Sequence, residues 1–268
     1  MSAAHLRAVL LVVALAAVLL PFGWMLAASL APESRLFGGA GDGFGLTHYR
    51  ALFEERAFWV PIRNSLVVAG ATTALCIGLG SPCAYALARM RFRGRRALLA
   101  GVLAVAMFPQ ISIVSPLFLV LRSLGLVDSY PGLVLPYLTF AMPLTIWLLV
   151  GFFRQLPPDL EEAAWVDGAG RLRALLEVVV PLAAPAVATT AILTFVYCWN
   201  EFLFALSFTL GPERHTVPVA IALFRGQYQV PWGQVLAAAV VSTAPVALLV
   251  LAFQRRIVQG LTSGAVKG

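Results

Sequence analysis

Tyr197, Trp199, Asn200 and Glu201 stand together near the end of a long apolar run, and Glu201 is the only acid inside any predicted membrane-crossing segment. A charge in mid-membrane costs roughly 2.5–3.5 kcal/mol on insertion scales, so its presence calls for a function or a partner. The four side chains offer an acceptor, a donor and stacking faces, the set that binds the hydroxyls of a sugar. The competing use is structural, a hydrogen bond to a neighbouring helix or to a partner chain. Gln110, Ser112 and Ser115, beside the kink expected at Pro109, are further polar groups that could line the same path. No Arg or Lys falls inside the predicted segments, which favours a neutral solute over a phosphorylated one.

Such residues need a framework that crosses lipid. Of the 268 residues, 60% are hydrophobic and 12% charged, whereas a soluble domain is roughly a quarter charged. Six charge-free stretches lie at 8–32, 64–88, 97–121, 129–153, 178–200 (running on to about 207) and 226–254, the last apolar from near 234. Each reaches the length of about 20 residues that a span requires. The first follows Arg7 and ends in a LAAS sequence resembling a cleavage site, yet its length makes it a retained transmembrane helix. Segments 1–7, 89–96, 154–177 and 255–268, which share one side, hold 12 of the 19 Lys and Arg residues. The Arg89–Arg96 run alone holds five arginines. That density belongs in the cytoplasm, which places both termini there. The net charge of +7 then reflects basic loops beside anionic headgroups and requires no nucleic acid.

Other chemistry is excluded or bland. The single lysine, Lys267, precedes the final Gly268, so no phosphate-binding Gly-Lys-Ser/Thr loop exists. Cys76, Cys83 and Cys198 lie in apolar segments and read as small buried residues. A stripe of Gly70, Ala74, Gly78, Gly80, Ala84 and Ala88 predicts one tightly packed face on the second span.

Residues 156–185, LPPDLEEAAWVDGAGRLRALLEVVVPLAAP, interrupt the apolar pattern on the cytoplasmic side. Pro157 and Pro158 stop the fourth span. Asp159 and Glu162 form a capping-box-like pair at the start of a short helix carrying Leu160, Ala163, Ala164 and Val166. Gly168 and Gly170 end that helix. Leu172, Leu175, Leu176 and Val179 then mark a second amphipathic stretch, which Pro181 and Pro185 turn into the fifth span. An interfacial hairpin would carry a cationic face, whereas this one opens with Asp159, Glu161, Glu162 and Asp167, which anionic lipid repels. A protein-docking element fits better.

Glu162-Ala163-Ala164, three residues, Gly168, nine residues and Val178-x-Val180-Pro181 resembles the EAA signature of importer permeases in the ATP-binding-cassette superfamily, with valines replacing its Ile and Leu. Asp167-Gly168-Ala169 matches the form frequent in sugar permeases. Asn64-Ser65, Ala84-Tyr85-Ala86-Leu87-Ala88-Arg89, Met107-Phe108-Pro109, Pro116-Leu117-Phe118 and Trp199-Asn200-Glu201-Phe202 look like the maltose-type carbohydrate permease family, in its six-helix subunit. The tail FQRRIVQGLTSGAVKG looks like that of trehalose-importer permeases of actinobacterial type.

The resemblance implies an all-α, polytopic membrane protein with six transmembrane helices and the type I ABC importer permease fold. It implies one permease domain over 1–268, with a cytoplasmic coupling loop at 156–182 between helices four and five. Glu161, Glu162, Ala163, Ala164, Asp167, Gly168, Ala169 and Pro181 would meet the ATPase; Glu162 would serve the helix N-terminus or reach an ATPase arginine. The external segment 211–232, with Pro212, Glu213, Arg225, Tyr228 and Trp232, resembles the loop that contacts a solute-binding protein; a plain connection is the alternative. The implied partners are a second homologous permease, two ATPase subunits carrying ATP and Mg, and an extracytoplasmic sugar-binding lipoprotein. The chain itself would hold no cofactor or metal and perform no covalent chemistry, in the plasma membrane of a bacterium. A disaccharide such as trehalose is the expected solute. Maltose, sucrose or glycerol phosphate are alternatives, and an ion-driven transporter is a rival of another class.

Overall fold

The computed structural model describes residues 3–36, 38, 43–224 and 230–265, and of residues 3, 4 and 255–265 the backbone alone. Every regular element among them is helical. The chain divides into two compact units, Met1–Trp59 with Ala220–Pro245 and Val60–Val219 with Val246–Gly268.

The first unit opens with α1 (Ala3–Leu30), whose apolar window is 0% buried among the described residues, with Leu10, Leu11, Leu15 and Leu20 exposed. A helix of bilayer length that is apolar all round belongs in lipid or against a partner helix. The short α2 (Glu33–Leu36) and α3 (Thr47–Glu54) follow. The end of α1 is tied to α3 by a 2.7 Å bond between Ser29 Oγ and the Tyr49 hydroxyl, and by His48 Nε2 at 3.0 Å from the Ala31 carbonyl. Arg56 lies over the Phe224 ring and donates to Gln234 at 2.5 Å.

The second unit carries α4 (Trp59–Arg89), α5 (Arg95–Ala106), α6 (Gln110–Ser123) and α7 (Tyr130–Phe153). Then come α8 (Asp159–Val166), α9 (Arg171–Ala174), a π turn over Leu175–Val179, α10 (Val180–Leu182), α11 (Ala184–Trp199), α12 (Leu203–Phe208) and α13 (Val217–Ala222). The final α14 (Trp232–Ala265) contributes residues to both units.

Among the described residues four helices, α1, α4, α7 and α14, are long and apolar enough to cross a membrane singly. The expected third and fifth spans are bent pairs: α5 and α6 meet at 90°, and Arg171–Leu182 meets α11 at 84°. Counting each pair as one gives the six spans read from the sequence. Pro109 explains the first bend, because it lacks an N–H and holds Phe108 out of the helical region. In the fifth span, expected over 178–200 and on to about 207, the first bend falls at the turn read from Pro181 and Pro185, and a second break before 203 is a correction. Pro181 has no N–H for the Glu177 carbonyl, and the ladder widens so that Val180 N–H reaches the Leu175 carbonyl. The chain then breaks at Ala183, ahead of Pro185, and again between Asn200 and Phe202.

Packing centres on α7, which touches α5, α11 and α12. Tyr85, Ala88, Leu149, Phe153, Leu175 and Val179 form a cluster at the Arg89 end of α4. Phe140, Phe204 and Phe208 stack with centroids 5.4 and 5.7 Å apart, and Phe118 of α6 joins Phe208 at 6.3 Å. The small-residue stripe holds only in part. Gly80 faces Thr145 of α7, where a Cβ would sit 3.3 Å from Cγ2, and Ala84 and Ala88 are buried. Gly70 and Gly78 meet nothing within 4 Å, and Ala74 is exposed. The buried line on α4 instead runs Val68, Thr72, Cys76, Gly80, a four-residue step that the polar Thr72 disguises in the sequence.

Candidate coupling loop and solute pathway

The chain leaves α7 at Arg154 and reaches α8 through Leu156, Pro157 and Pro158. Asp159 does not cap α8 with its side chain; the Pro158 carbonyl starts the helix by accepting Glu161 N–H at 2.9 Å and Glu162 N–H at 3.1 Å. The capping-box expectation is therefore corrected. The acids of the first turn, Asp159, Glu161 and Glu162, still suit the positive end of the helix dipole.

At its other end α8 closes with a Schellman turn. Ala169 N–H donates to the Ala164 carbonyl at 2.9 Å and Gly168 N–H to Trp165 at 3.0 Å, with Gly168 at φ +84°. Only glycine adopts that conformation without strain, which explains its place six residues after Glu162. The turn leaves Glu162, Ala163, Asp167 and Gly168 exposed and Ala164 and Ala169 half-buried, while Pro181 is exposed further on. Around them Trp165, Val166 and Leu172 are exposed apolar side chains, Val166 at 87%. Exposed apolar side chains set among acids are the kind of surface that a protein partner covers.

Glu161 does a different job from its neighbour. Its carboxylate is 3% exposed, with Oε1 2.7 Å from Arg89 Nε and Oε2 accepting the Tyr85 hydroxyl at 2.9 Å. The Arg89 contact is ionic, the Nε–H not being aimed along a hydrogen-bond line. Arg89 also donates from Nη2 to the Leu156 carbonyl at 2.6 Å. One arginine at the end of α4 thus holds both the entry to the loop and its first helix. In sequence Glu161 is one of the loop acids, and Tyr85 and Arg89 stand in the Ala84–Arg89 motif with no role attached. Their signal was present: an aromatic hydroxyl and a cation four apart, one helical turn, at the end of an apolar helix.

The residues expected to line a pathway do not share one face. Glu201 is 9% exposed and turned into the protein, where Oε1 accepts Phe204 N–H at 2.8 Å and Oε2 accepts Ala205 N–H at 3.1 Å. It caps α12 with the Tyr137 side chain of α7 beside it, so the structural alternative describes its surroundings. Trp199 is buried and stacked on Phe195 at 5.7 Å. Tyr197 and Asn200 are exposed; Gln110 Nε2 donates to the Tyr197 hydroxyl at 2.8 Å, and Asn200 Nδ2 to the Val196 carbonyl at 2.7 Å. Ser112 and Ser115 are exposed on α6. Gln110, at the start of α6 where the 90° bend opens the helix, and Tyr197 form the accessible polar pair.

In the second unit, Asn64 ties down the segment that leads into α13. Its Nδ2 donates to the Glu213 and His215 carbonyls at 2.8 and 2.9 Å, and Tyr130 donates to its Oδ1 at 2.7 Å. Ser65 Oγ accepts Val217 N–H at 2.8 Å. Pro212 and Glu213 are exposed on this tied loop, and Trp232 is exposed in the first unit. Arg225 and Tyr228 lie outside the described residues. Burial lowers the His215 pKa below its ordinary 6.5, with Asp128 pulling the other way.

Residues 76–263 match the model of the family described as binding-protein-dependent transport system inner membrane component. The chain belongs to this family. It is similar to the trehalose transport system permease protein SugB of Mycobacterium tuberculosis, 48% identical over 254 residues and 93% of each chain. It is also similar to the trehalose/maltose transport system permease protein MalG of Thermococcus litoralis, 42% identical over 260 residues, 93% of this chain and 92% of that one. In solved structures it is similar to a bacterial ABC transporter involved in import of the acidic polysaccharide alginate, at TM-score 0.79 and 25% identity, covering 94% of this chain and 95% of that one. The permease is thus an all-helical, multi-pass membrane protein of the type I importer fold, a translocation component and not an enzyme.

Proposed function

We propose that the permease is one half of the membrane pore of an ATP-driven importer for a disaccharide, trehalose being the favoured solute. The observation that carries the coupling role is the loop at 156–182: a Schellman-turned helix that exposes Ala163 and is clamped to α4 through Glu161. A helix held this way moves with the bundle and not against it. In this reading α8 sits in a cleft of an ATPase subunit on the cytoplasmic side, with both termini of the permease on that side. Closure of two ATPases over ATP and Mg swings α8, and Arg89 passes the swing into α4. The pore opens outward, an extracytoplasmic binding lipoprotein docks over the tied loop at 210–217 and delivers sugar, and hydrolysis resets the cycle. A second, homologous permease supplies the other wall.

Supporting the choice of sugar are the solutes for which the two relatives are named and the accessible Gln110–Tyr197 pair, neutral groups suited to hydroxyls. An ion-driven cycle has less support, since the carboxylate of Glu201 is engaged in capping α12. The deciding measurement is the affinity of the cognate binding protein for trehalose, maltose, sucrose and glycerol phosphate, followed by uptake of the tightest binder in reconstituted vesicles. Micromolar preference for trehalose with ATP-dependent uptake is expected. Preference for another solute removes trehalose, and uptake driven by an ion gradient without ATP removes the importer class. Reporter fusions at residues 93 and 212 check the orientation, the first reporting cytoplasm and the second the exterior.

A further inference from the structure

The arginines that orient the chain also build a concave site. Arg91, Arg93, Arg95 and Arg96, from the turn between α4 and α5, line one cavity of about 920 Å³ together with Arg154 from the end of α7. Gly94, at φ +86°, reverses the chain between them. Only Arg95 is engaged, its Nη1 lying 3.4 Å from the Met90 carbonyl. Among the described residues the side chains of the other four make neither an ion pair nor a hydrogen bond. Five like charges around one concavity raise a positive potential that an anion relieves.

The cavity has a continuation of opposite character. Leu99 and Arg154 also line an apolar hollow of about 250 Å³ with Trp147, Leu148, Val150 and Gly151. Trp147 is exposed at 53%, a ring with a polar edge at the point where charge gives way to apolar surface. Arginine forks match phosphate oxygens, and the hollow beside them matches hydrocarbon. A free phosphate would use the first part and leave the second unoccupied.

We propose that the two hollows together form a binding site for one anionic phospholipid, its phosphate held by the arginines and an acyl chain laid along Trp147 and Gly151. The site does not depend on which solute is carried, and a failed transport assay leaves it standing. Where the lipid binds, it bridges the α4–α5 turn to the end of α7, next to the loop that α8 closes.

The test uses the full chain, co-expressed with its companion subunits and examined by native mass spectrometry with phosphatidylglycerol, phosphatidylcholine or inorganic phosphate supplied. Wild type should retain phosphatidylglycerol in preference to phosphatidylcholine. Arg93→Gln, Arg96→Gln and Arg154→Gln combined should weaken that retention on the order of tenfold or more. Because removing these charges could disturb insertion, Gly151→Leu is the second variant. A Cβ at Gly151 meets nothing within 4 Å, so leucine fills the apolar hollow while every charge stays. It should lower lipid retention as well. Equal retention of the two lipids, or retention unchanged in both variants, overturns the proposal. So does displacement by inorganic phosphate at equal concentration with Gly151→Leu silent, which assigns the cavity to a soluble anion.

Discussion

Glu161 and Glu201 are the two buried carboxylates among the described residues, and they are held in opposite ways. Glu161 meets a guanidinium and a phenol that belong to α4, more than seventy residues earlier in the chain. Glu201 accepts from backbone N–H groups three and four residues further along, with the Tyr137 side chain of α7 beside it. The first is a tie between two elements, and what moves one moves the other. The second is a local cap that keeps a broken helix from fraying.

The comparison is most exposed to failure at Arg89. Arg89→Gln leaves the Glu161 charge buried and unpaired, a loss expected at about 3–5 kcal/mol and read as a lowered melting temperature in detergent. Transport should fall more than the stability loss explains, with ATPase activity no longer stimulated by loaded binding protein. Arg89→Gln combined with Glu161→Gln should cost less than the two single losses added; strict additivity would mean the groups do not pair.

Glu201→Gln should cost less, about 1–2 kcal/mol, the worth of a helix cap, with the sugar affinity of uptake unchanged. A change in that affinity at unaltered stability would restore Glu201 to the pathway and sink the contrast. Gly168→Ala forces a left-handed alanine, roughly 1–2 kcal/mol, and should loosen coupling without changing insertion. Gly168→Asn, which tolerates that conformation, should lose less.

The smallest effect concerns His215. Its folded pKa lies below the unfolded 6.5, so the unfolded chain takes up protons first as pH falls. Stability should be full above about 6.5 and decline as pH drops from there toward the lowered folded value. His215→Asn should flatten that decline in melting temperature; an unchanged slope would assign it to the carboxylates.

Much of this was legible in the sequence. Six apolar runs gave the spans, and Gly168 marked the turn because a fixed glycine after a short helix has one common use. The distinction between Glu161 and Glu162 was not legible. Adjacent helical residues differ by about 100° in direction, and which of them faces the bundle is decided by Arg89 and not by local pattern. Pro181 and Pro185 marked the break at Ala183, whereas the one at Asn200 was hidden for a related reason. Apolar composition measures lipid compatibility, not continuity, and a cap formed by a buried acid looks in sequence like a polar group in a pathway. Tyr197 through Glu201 read as one constellation, although a helix that ends within the run sends Trp199 and Glu201 inward and Tyr197 and Asn200 outward.

The Asn64 clasp has a consequence for synthesis. Asn64 lies in the second span, and its carboxamide donates to carbonyls of residues 213 and 215. At about 5–20 residues per second, the ribosome supplies those carbonyls roughly 7–30 s after Asn64 itself. For that interval the growing chain carries an amide whose partners have not yet been made, in a segment already bound for the bilayer. The loop over which α13 begins is therefore among the last parts of the permease to mature, and a chain halted before residue 213 cannot complete it.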